Sequence, residues 1–383
     1  MRHRLVILTE IIAPYRIPLF NTMAQDDDVD LHVIFLAETD PTLREWQVFK
    51  REIQFSYQVL PSWRKRVGRY NVLLNSGVWG ALAASAPDVI LCGGYNYVAS
   101  WQALAWATVR KLPFFLWSES TLQDHRRGHA LVELLKTEFL YKCSGFVVPG
   151  ESAREYIRAS RIDACRIITA PNAVDNDLFS RAATAARQNA AACRKALNLP
   201  ERYFLFAGRL VREKGVFELV TAYAKLDESM RQQVGLVFVG SGAAQEELEL
   251  AASQIVPGII RFSGFTQRDQ LAKYYALADV LILPTYTDPW GLVVNEAMAC
   301  GLPVIVSRVA GCAADLVREN WNGLLISPQD VSSLTSAMRS IASQPELRAA
   351  MGVNSSQLIL QYSPREWSKG IARMVAANGA PLD

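Results

Sequence analysis

Short apolar runs bounded by polar residues, glycine or proline recur along the chain, at 5–8, 31–36, 89–92, 114–117 and 146–148, and again at 203–207, 235–239, 259–262, 280–283, 304–306 and 323–326. Runs with no polar face suit strands covered on both sides, as in a parallel sheet sandwiched between helices. Segments long enough for helices separate most of them, so the pattern predicts an α/β chain with doubly wound parallel sheets. With 383 residues the chain exceeds the usual size of one domain, and two are expected. The stretch 180–195 is alanine-rich and polar without a clear apolar face, which puts the division between Pro171 and the strand at 203. We take residues 1–175 as the first domain and 176–364 as the second, with a C-terminal helix at about 365–383 packing back on the first.

The strongest chemical signal lies at 288–304. Asp288 and Pro289 end an apolar run, Gly291 permits a sharp turn, and 293–300 read as a helix. Asp288 then sits in the loop and Glu296, eight residues on, about two turns into the helix. The free amides near Leu292 and Val293 form a helix N-terminus suited to a phosphate. Each carboxylate can accept two hydrogen bonds from neighbouring sugar hydroxyls, so the whole suits a nucleotide-sugar. Two acids at this spacing are weak evidence alone; Pro289-Trp290-Gly291 and the small residues after Glu296 sharpen it. Upstream, the strand at 203–207 runs into Gly208-Arg209-Leu210-Val211-Arg212-Glu213-Lys214-Gly215, a strand–glycine–helix junction of the kind that binds ligands in α/β sheets. Arg209 offers a planar fork and Lys214 a mobile point charge, a complement for a departing diphosphate. Gly240-x-Gly242 after the next strand is weak evidence by itself.

These segments resemble the retaining GT-B glycosyltransferases of glycosyltransferase family 4. Their Glu-x7-Glu signature is matched by Glu296, with Asp288 standing where the first Glu is usual, followed by EAMACGLPV at 296–304, and their GRL-x3-KG segment is matched by 208–215. Pro171-Asn172-Ala173-Val174-Asp175 is similar to the family's PNGVD hinge. The resemblance implies two Rossmann-like domains facing across a cleft, and transfer of a sugar from a nucleotide-diphosphate donor to an acceptor hydroxyl with retention. It implies that Asp288 meets the transferred sugar, Glu296 the ribose, and the amides of Gly291, Leu292 and Val293 the diphosphate. Gly208, Arg209 and Lys214 would share that diphosphate, the Gly264-Phe265 backbone would meet the base, and Thr285 and Tyr286 would line the approach to Asp288. No cofactor or bound metal is implied. Family habit points to bacterial surface polysaccharide or glycolipid assembly, in the cytoplasm or peripherally at the inner face of the membrane.

The first domain departs from the family pattern. Its first loop, 9–18, lacks a glycine pair and offers Tyr15 and Arg16; the strand at 114–117 leads into Ser118-Glu119-Ser120 where a histidine is usual, leaving Glu119 as the nearest ionisable candidate for a catalytic role. His125 and His129 are four apart, but Gly128 weakens a helix there and no third ligand follows, so with Arg126 and Arg127 they read as a basic acceptor loop rather than a metal site.

A formal charge of +3 and a pI near 8.5 are too mild for a dedicated nucleic-acid binder. The six cysteines show no CxxC pair and no signal peptide is read, so reduced cytosolic thiols are expected. The apolar stretch 101–117 is broken by Arg110, Lys111 and Pro113, against a membrane span. The cluster Trp63-Arg64-Lys65-Arg66-Val67-Gly68-Arg69-Tyr70 reads either as a solvated loop or as a site for an anionic membrane surface or lipid-diphosphate acceptor. Two other functions share the donor site: a nucleotide-sugar epimerase and a non-catalytic sugar-nucleotide-binding protein.

Overall fold

The computed structural model describes residues 2–40, 48–67, 70–124, 130–163 and 166–377. The chain forms two compact units, one of Met1–Ala173 with Pro364–Asp383 and one of Val174–Ser363.

The first unit carries β1 (His3–Thr9), β2 (Val29–Phe35), β3 (Ser56–Val59), β4 (Ser62–Val67), β5 (Tyr70–Asn75), β6 (Val89–Cys92), β7 (Phe114–Trp117), β8 (Gly145–Val148) and β9 (Ile167–Thr169). Seven of these make a parallel sheet in the order β3-β2-β1-β6-β7-β8-β9. Because strand side chains alternate, Leu5 and Ile7 belong to one apolar cluster and Val6 and Leu8 to the other. The first cluster is closed by the helices Ile17–Ala24 and Pro364–Ala377, the latter burying Trp367 completely against Phe20 and Trp117. The second is closed by helices that include Val98–Arg110 and Glu151–Ala159.

Residues 63–67 of the basic cluster are strand, not loop. Ser62–Val67 and Tyr70–Asn75 pair antiparallel as a separate ribbon, which shows no apolar run in β4 because that strand is mostly polar. Alternation leaves Trp63 and Lys65 exposed and turns Arg64 inward, where it pairs with the buried Asp40 and, at 3.5 Å, with Glu10. Arg64 is therefore already neutralised and is withdrawn from the surface patch. The side chain of Arg66, and Arg69 altogether, lie outside the described residues, as do His125, Arg126, Arg127 and His129.

The second unit carries β10 (Tyr203–Ala207), β11 (Gly235–Val239), β12 (Ile260–Phe262), β13 (Val280–Leu283), β14 (Val304–Ser307) and β15 (Gly323–Ile326). They form a parallel sheet in the order β12-β11-β10-β13-β14-β15. Tyr203, Leu205 and Ala207 face one apolar cluster, Phe204 and Phe206 the other. The stretch 180–195 is not irregular: it falls in the helices Asn176–Gln188 and Ala190–Leu197. Phe179, Ala183 and Ala186 are buried there against the helices Arg268–Leu277 and Leu292–Ala299. The apolar stripe is made of alanines, whose small side chains permit close approach and whose hydropathy makes a faint signal. Asp175 caps the first of these helices by accepting from the Leu178 amide at 2.9 Å.

Glycines set the loops at the carboxyl ends of this sheet. Gly240 has φ +133° and a side chain there would fall 1.9 Å from the Gly208 carbonyl oxygen; at Gly242 it would fall 2.3 Å from that of Leu210. The Gly240-x-Gly242 pair thus serves backbone packing between neighbouring loops. Gly240→Ala should destabilise the unit by about 3 kcal/mol or more, whereas Gly264→Ala, at φ +68° with open space around it, should cost only about 1–2 kcal/mol. Denaturant unfolding of the two variants tests the contrast.

Candidate functional site

In each sheet the strand order reverses at one crevice, between β1 and β6 in the first unit and between β10 and β13 in the second. Ligands of open α/β sheets bind outside the carboxyl ends of the strands at such a point. In the second unit the loop after β10 and the loop after β13 meet there. Gly215, at φ +68°, lies so close to the Pro284 carbonyl that a side chain would approach its oxygen to 2.1 Å. The Glu213 carbonyl accepts from the Tyr286 amide (2.8 Å) and the Thr285 hydroxyl (3.1 Å). Thr285 is fully buried, so its hydroxyl ties the loops together instead of lining an approach.

This closeness brings Lys214 to Asp288: Nζ stands 2.5 Å from Oδ2, with both side chains about 85% buried. The sequence placed the two in separate motifs, and nothing in their spacing announced a pair. The other Asp288 oxygen accepts from the Trp290 amide at 3.2 Å, and the Asp288 carbonyl from the Gly311 amide at 2.9 Å. Gly311 is needed for this, since a side chain would fall 1.9 Å from the Pro289 carbonyl oxygen. Asn295 fixes the same loop by accepting from the buried Trp290 indole at 2.8 Å, a role with no signature in the sequence.

Gly291, at φ +96°, precedes the helix Leu292–Ala299, which no side chain caps. The first amides of this helix, at Leu292 and Val293, therefore point their partial positive charge outward beside the Lys214–Asp288 pair. Glu296 is the fifth residue of the helix, one turn in rather than two. It accepts from the Tyr275 hydroxyl at 2.7 Å. Burial pushes its carboxyl up to about 7, against the opposing effects of the Tyr275 hydrogen bond and the Arg268 charge. Arg187, in the alanine-rich helix Asn176–Gln188, donates to Ala276 O at 3.1 Å and Cys300 O at 2.5 Å, clamping the ends of the helices that carry Tyr275 and Glu296. Arg209 is exposed, and its side chain makes no ion pair or hydrogen bond among the described residues. Gly264 follows β12, where its carbonyl accepts from Gly240 N at 2.8 Å, and Phe265 is 41% exposed.

In the first unit, Thr9 at the end of β1, with Glu10 and Arg16 after it, comes together with Ser118 and Glu119 after β7. Arg16 donates to Thr9 Oγ1 at 2.7 Å, lies 3.5 Å from Glu119 Oε1, and stacks 4.4 Å over Trp117 and 5.8 Å from Tyr15. The Ser118 hydroxyl and Arg16 Nε are buried without a partner. Tyr15 and Glu119 thus both flank Arg16, beside two buried donors that have no protein partner. Among the described residues there is no group of three or more metal-ligating side chains and no helix long and apolar enough to cross a membrane.

The chain has the GT-B type of architecture, two Rossmann-like parallel-sheet domains. HepE of Anabaena, crystallised with UDP, superimposes with a TM-score of 0.74 at 18% identity, covering 98% of this chain and 100% of the other. Sucrose-phosphate synthase of Thermosynechococcus elongatus gives 0.73 at 20% identity, covering 98% of each chain. Residues 190–358 match the family model described as Glycosyl transferases group 1, and residues 21–178 that of Glycosyltransferase Family 4, so the glycosyltransferase signature runs through both units. Curated relatives include an uncharacterised glycosyltransferase of Methanocaldococcus jannaschii, 38% identical over 35% of this chain and 34% of its own. Another is a D-inositol 3-phosphate glycosyltransferase of Corynebacterium jeikeium, 32% identical over 57% of this chain and 52% of its own. The match spans no more than about half the length of these two relatives.

The raised Glu296 carboxyl has a consequence for stability. The native state keeps its proton where an unfolded glutamate, titrating near 4.5, has lost it, so this group's contribution falls as pH rises from about 4.5 through 7. Glu296→Gln should accordingly raise stability at pH 8 by about 1–3 kcal/mol and change it little at pH 4. Denaturant midpoints at the two pH values check this.

Proposed function

We propose that the protein is a retaining glycosyltransferase that moves a hexose from a nucleoside-diphosphate sugar to an acceptor hydroxyl, in the assembly of a bacterial surface polysaccharide or glycolipid. The observation that carries the reading is the Lys214–Asp288 pair held against an uncapped helix N-terminus at the crevice of the second unit. A cation and helix amides side by side suit a diphosphate, and the carboxylate one ion pair away suits hydroxyls of the sugar attached to it. As the glycosidic bond breaks, charge grows on the departing diphosphate; Lys214, Arg209 and the amides of Gly291 to Val293 stabilise it. Glu296 takes the ribose hydroxyls, and the Gly208 and Gly264-Phe265 backbone borders the nucleotide. The complexes of HepE with UDP and with UDP-glucose support a donor of this class.

In the first unit Tyr15, Arg16 and Glu119 bind the acceptor, with Glu119 placed to orient its nucleophilic hydroxyl. Peripheral membrane contact rests on the exposed Trp63 and Lys65 of the β4–β5 ribbon, since Arg64 is engaged with Asp40 and Glu10.

Arg209→Met and Lys214→Met should each lower kcat by about two to three powers of ten, the size expected for loss of one transition-state charge donor. Their stabilities should differ: Arg209 has no partner to abandon, while loss of Lys214 leaves Asp288 partly buried and unpaired, at about 1–3 kcal/mol. Transfer from a panel of nucleotide-sugars, with the product's anomeric configuration read by NMR, provides the assay. Near wild-type turnover in both variants would refute the diphosphate assignment, and an inverted anomeric centre would refute retention.

A further inference from the structure

Tyr275 is fully buried in the core of the second unit, its ring set edge-on to Phe179 at 6.2 Å. A hydroxyl so placed cannot reach water and must find a partner inside. Its partner is Glu296 Oε2, at 2.7 Å. The ring is fixed by its packing and the donor end meets the one carboxylate carried by the helix Leu292–Ala299, one turn in from its start. We propose that Tyr275 is the positioning residue of the donor site, its hydroxyl holding one oxygen of Glu296 so that the other is aimed at the nucleotide ribose. This rests on the ribose role given to Glu296 above.

The electrostatics agree with the geometry. A hydrogen bond from a neutral donor favours the charged carboxylate, and burial together with the Glu296 charge keeps the Tyr275 hydroxyl protonated far beyond neutral pH. The surroundings supply few competitors. From the helix Arg268–Leu277, Arg268 adds its positive charge. From the helix Asn176–Gln188, Arg187 is occupied by two backbone carbonyls. The Cys300 thiol, at the end of Glu296's own helix, stays protonated because it is buried. On the helix Pro345–Leu358, Arg348 turns away to Asp279 at 3.6 Å. Tyr275 is therefore the direct hydrogen-bond donor to this carboxylate and Arg268 a more distant support.

The test separates orientation and ionisation from mere packing. Infrared titration of the ligand-free protein, with Glu296→Gln as the blank, gives the midpoint of the Glu296 carboxyl; calorimetry from pH 6 to pH 9 with UDP, and with GDP in parallel, gives affinity. In wild type the carboxyl should titrate near 7 and affinity should fall as pH drops through that value. In Tyr275→Phe the midpoint should rise by about one unit. Affinity at pH 7 should then fall about fivefold through the smaller ionised fraction, with most of it regained at pH 9. Arg268→Gln, which leaves the core intact, should move the midpoint the same way by less, and serves if Tyr275→Phe does not fold. An unmoved midpoint in Tyr275→Phe, or in Arg268→Gln where that variant stands in, would overturn the inference. Unchanged nucleotide affinity in Glu296→Gln, with the midpoint still moved by Tyr275→Phe, would instead show that the ribose reading is wrong and that Tyr275 orients Glu296 toward something else.

Discussion

The contact on which the second unit's site depends is the ion pair between Lys214 and Asp288. Two loops that follow different strands must come within side-chain reach, and they do so only because Gly215 lies flat on the Pro284 carbonyl. Without that approach the lysine and the carboxylate would each face solvent, where an ion pair contributes little. With it, both are largely withdrawn from water and hold each other in place. Gly311 and Gly240 do comparable work on either side. Backbone packing thus precedes electrostatics, and electrostatics fixes where a ligand's charge can settle.

The two carboxylates of this site live in different surroundings, which suits different tasks. Asp288 is paired with a cation and a backbone amide. Glu296 has a phenol hydroxyl for a partner and a burial penalty that pushes its carboxyl up to about 7. A ligand whose hydroxyls donate to Glu296 would favour its ionised form and so release a proton on binding near neutrality. The first unit has a similar arrangement with other components: Arg16 packs over Trp117, pairs with Glu119 and leaves its Nε without a protein partner.

Much of this was legible in the sequence, for definable reasons. Strands buried on both faces, such as β10 and β13, print unbroken apolar runs, and their order with helices between them gives the sheet. The edge strand β3, half exposed and polar, and the ribbon β4–β5, with its row of cations, print no such run and went unread. The helix Asn176–Gln188 hid because alanine makes an apolar face without making an obvious pattern. Asp288, Glu296, Arg209 and Lys214 stand out as candidates in the sequence because the segments around them carry glycines and prolines that mark turns. Tyr275 and Arg187 do not, since each acts through a contact made across the fold, and a tyrosine on the buried side of an amphipathic helix looks like any core residue; Asn295 does not because its bond to Trp290, five residues away, follows no sequence pattern. The Lys214–Asp288 pair joins residues 74 apart in sequence, a distance over which no local pattern carries information.

Hydrogen exchange with and without saturating UDP tests the central claim most directly, that the crevice of the second unit is a nucleotide-diphosphate site. Binding there should slow exchange in two separate segments, 208–215 and 291–296, because a diphosphate would take up the amides of the helix N-terminus and order the loop that carries Arg209 and Lys214. Protection of both segments together is the result the account predicts. Bound UDP that leaves both unprotected, or that protects only the carboxyl ends of β1 and β7 in the first unit, would contradict it.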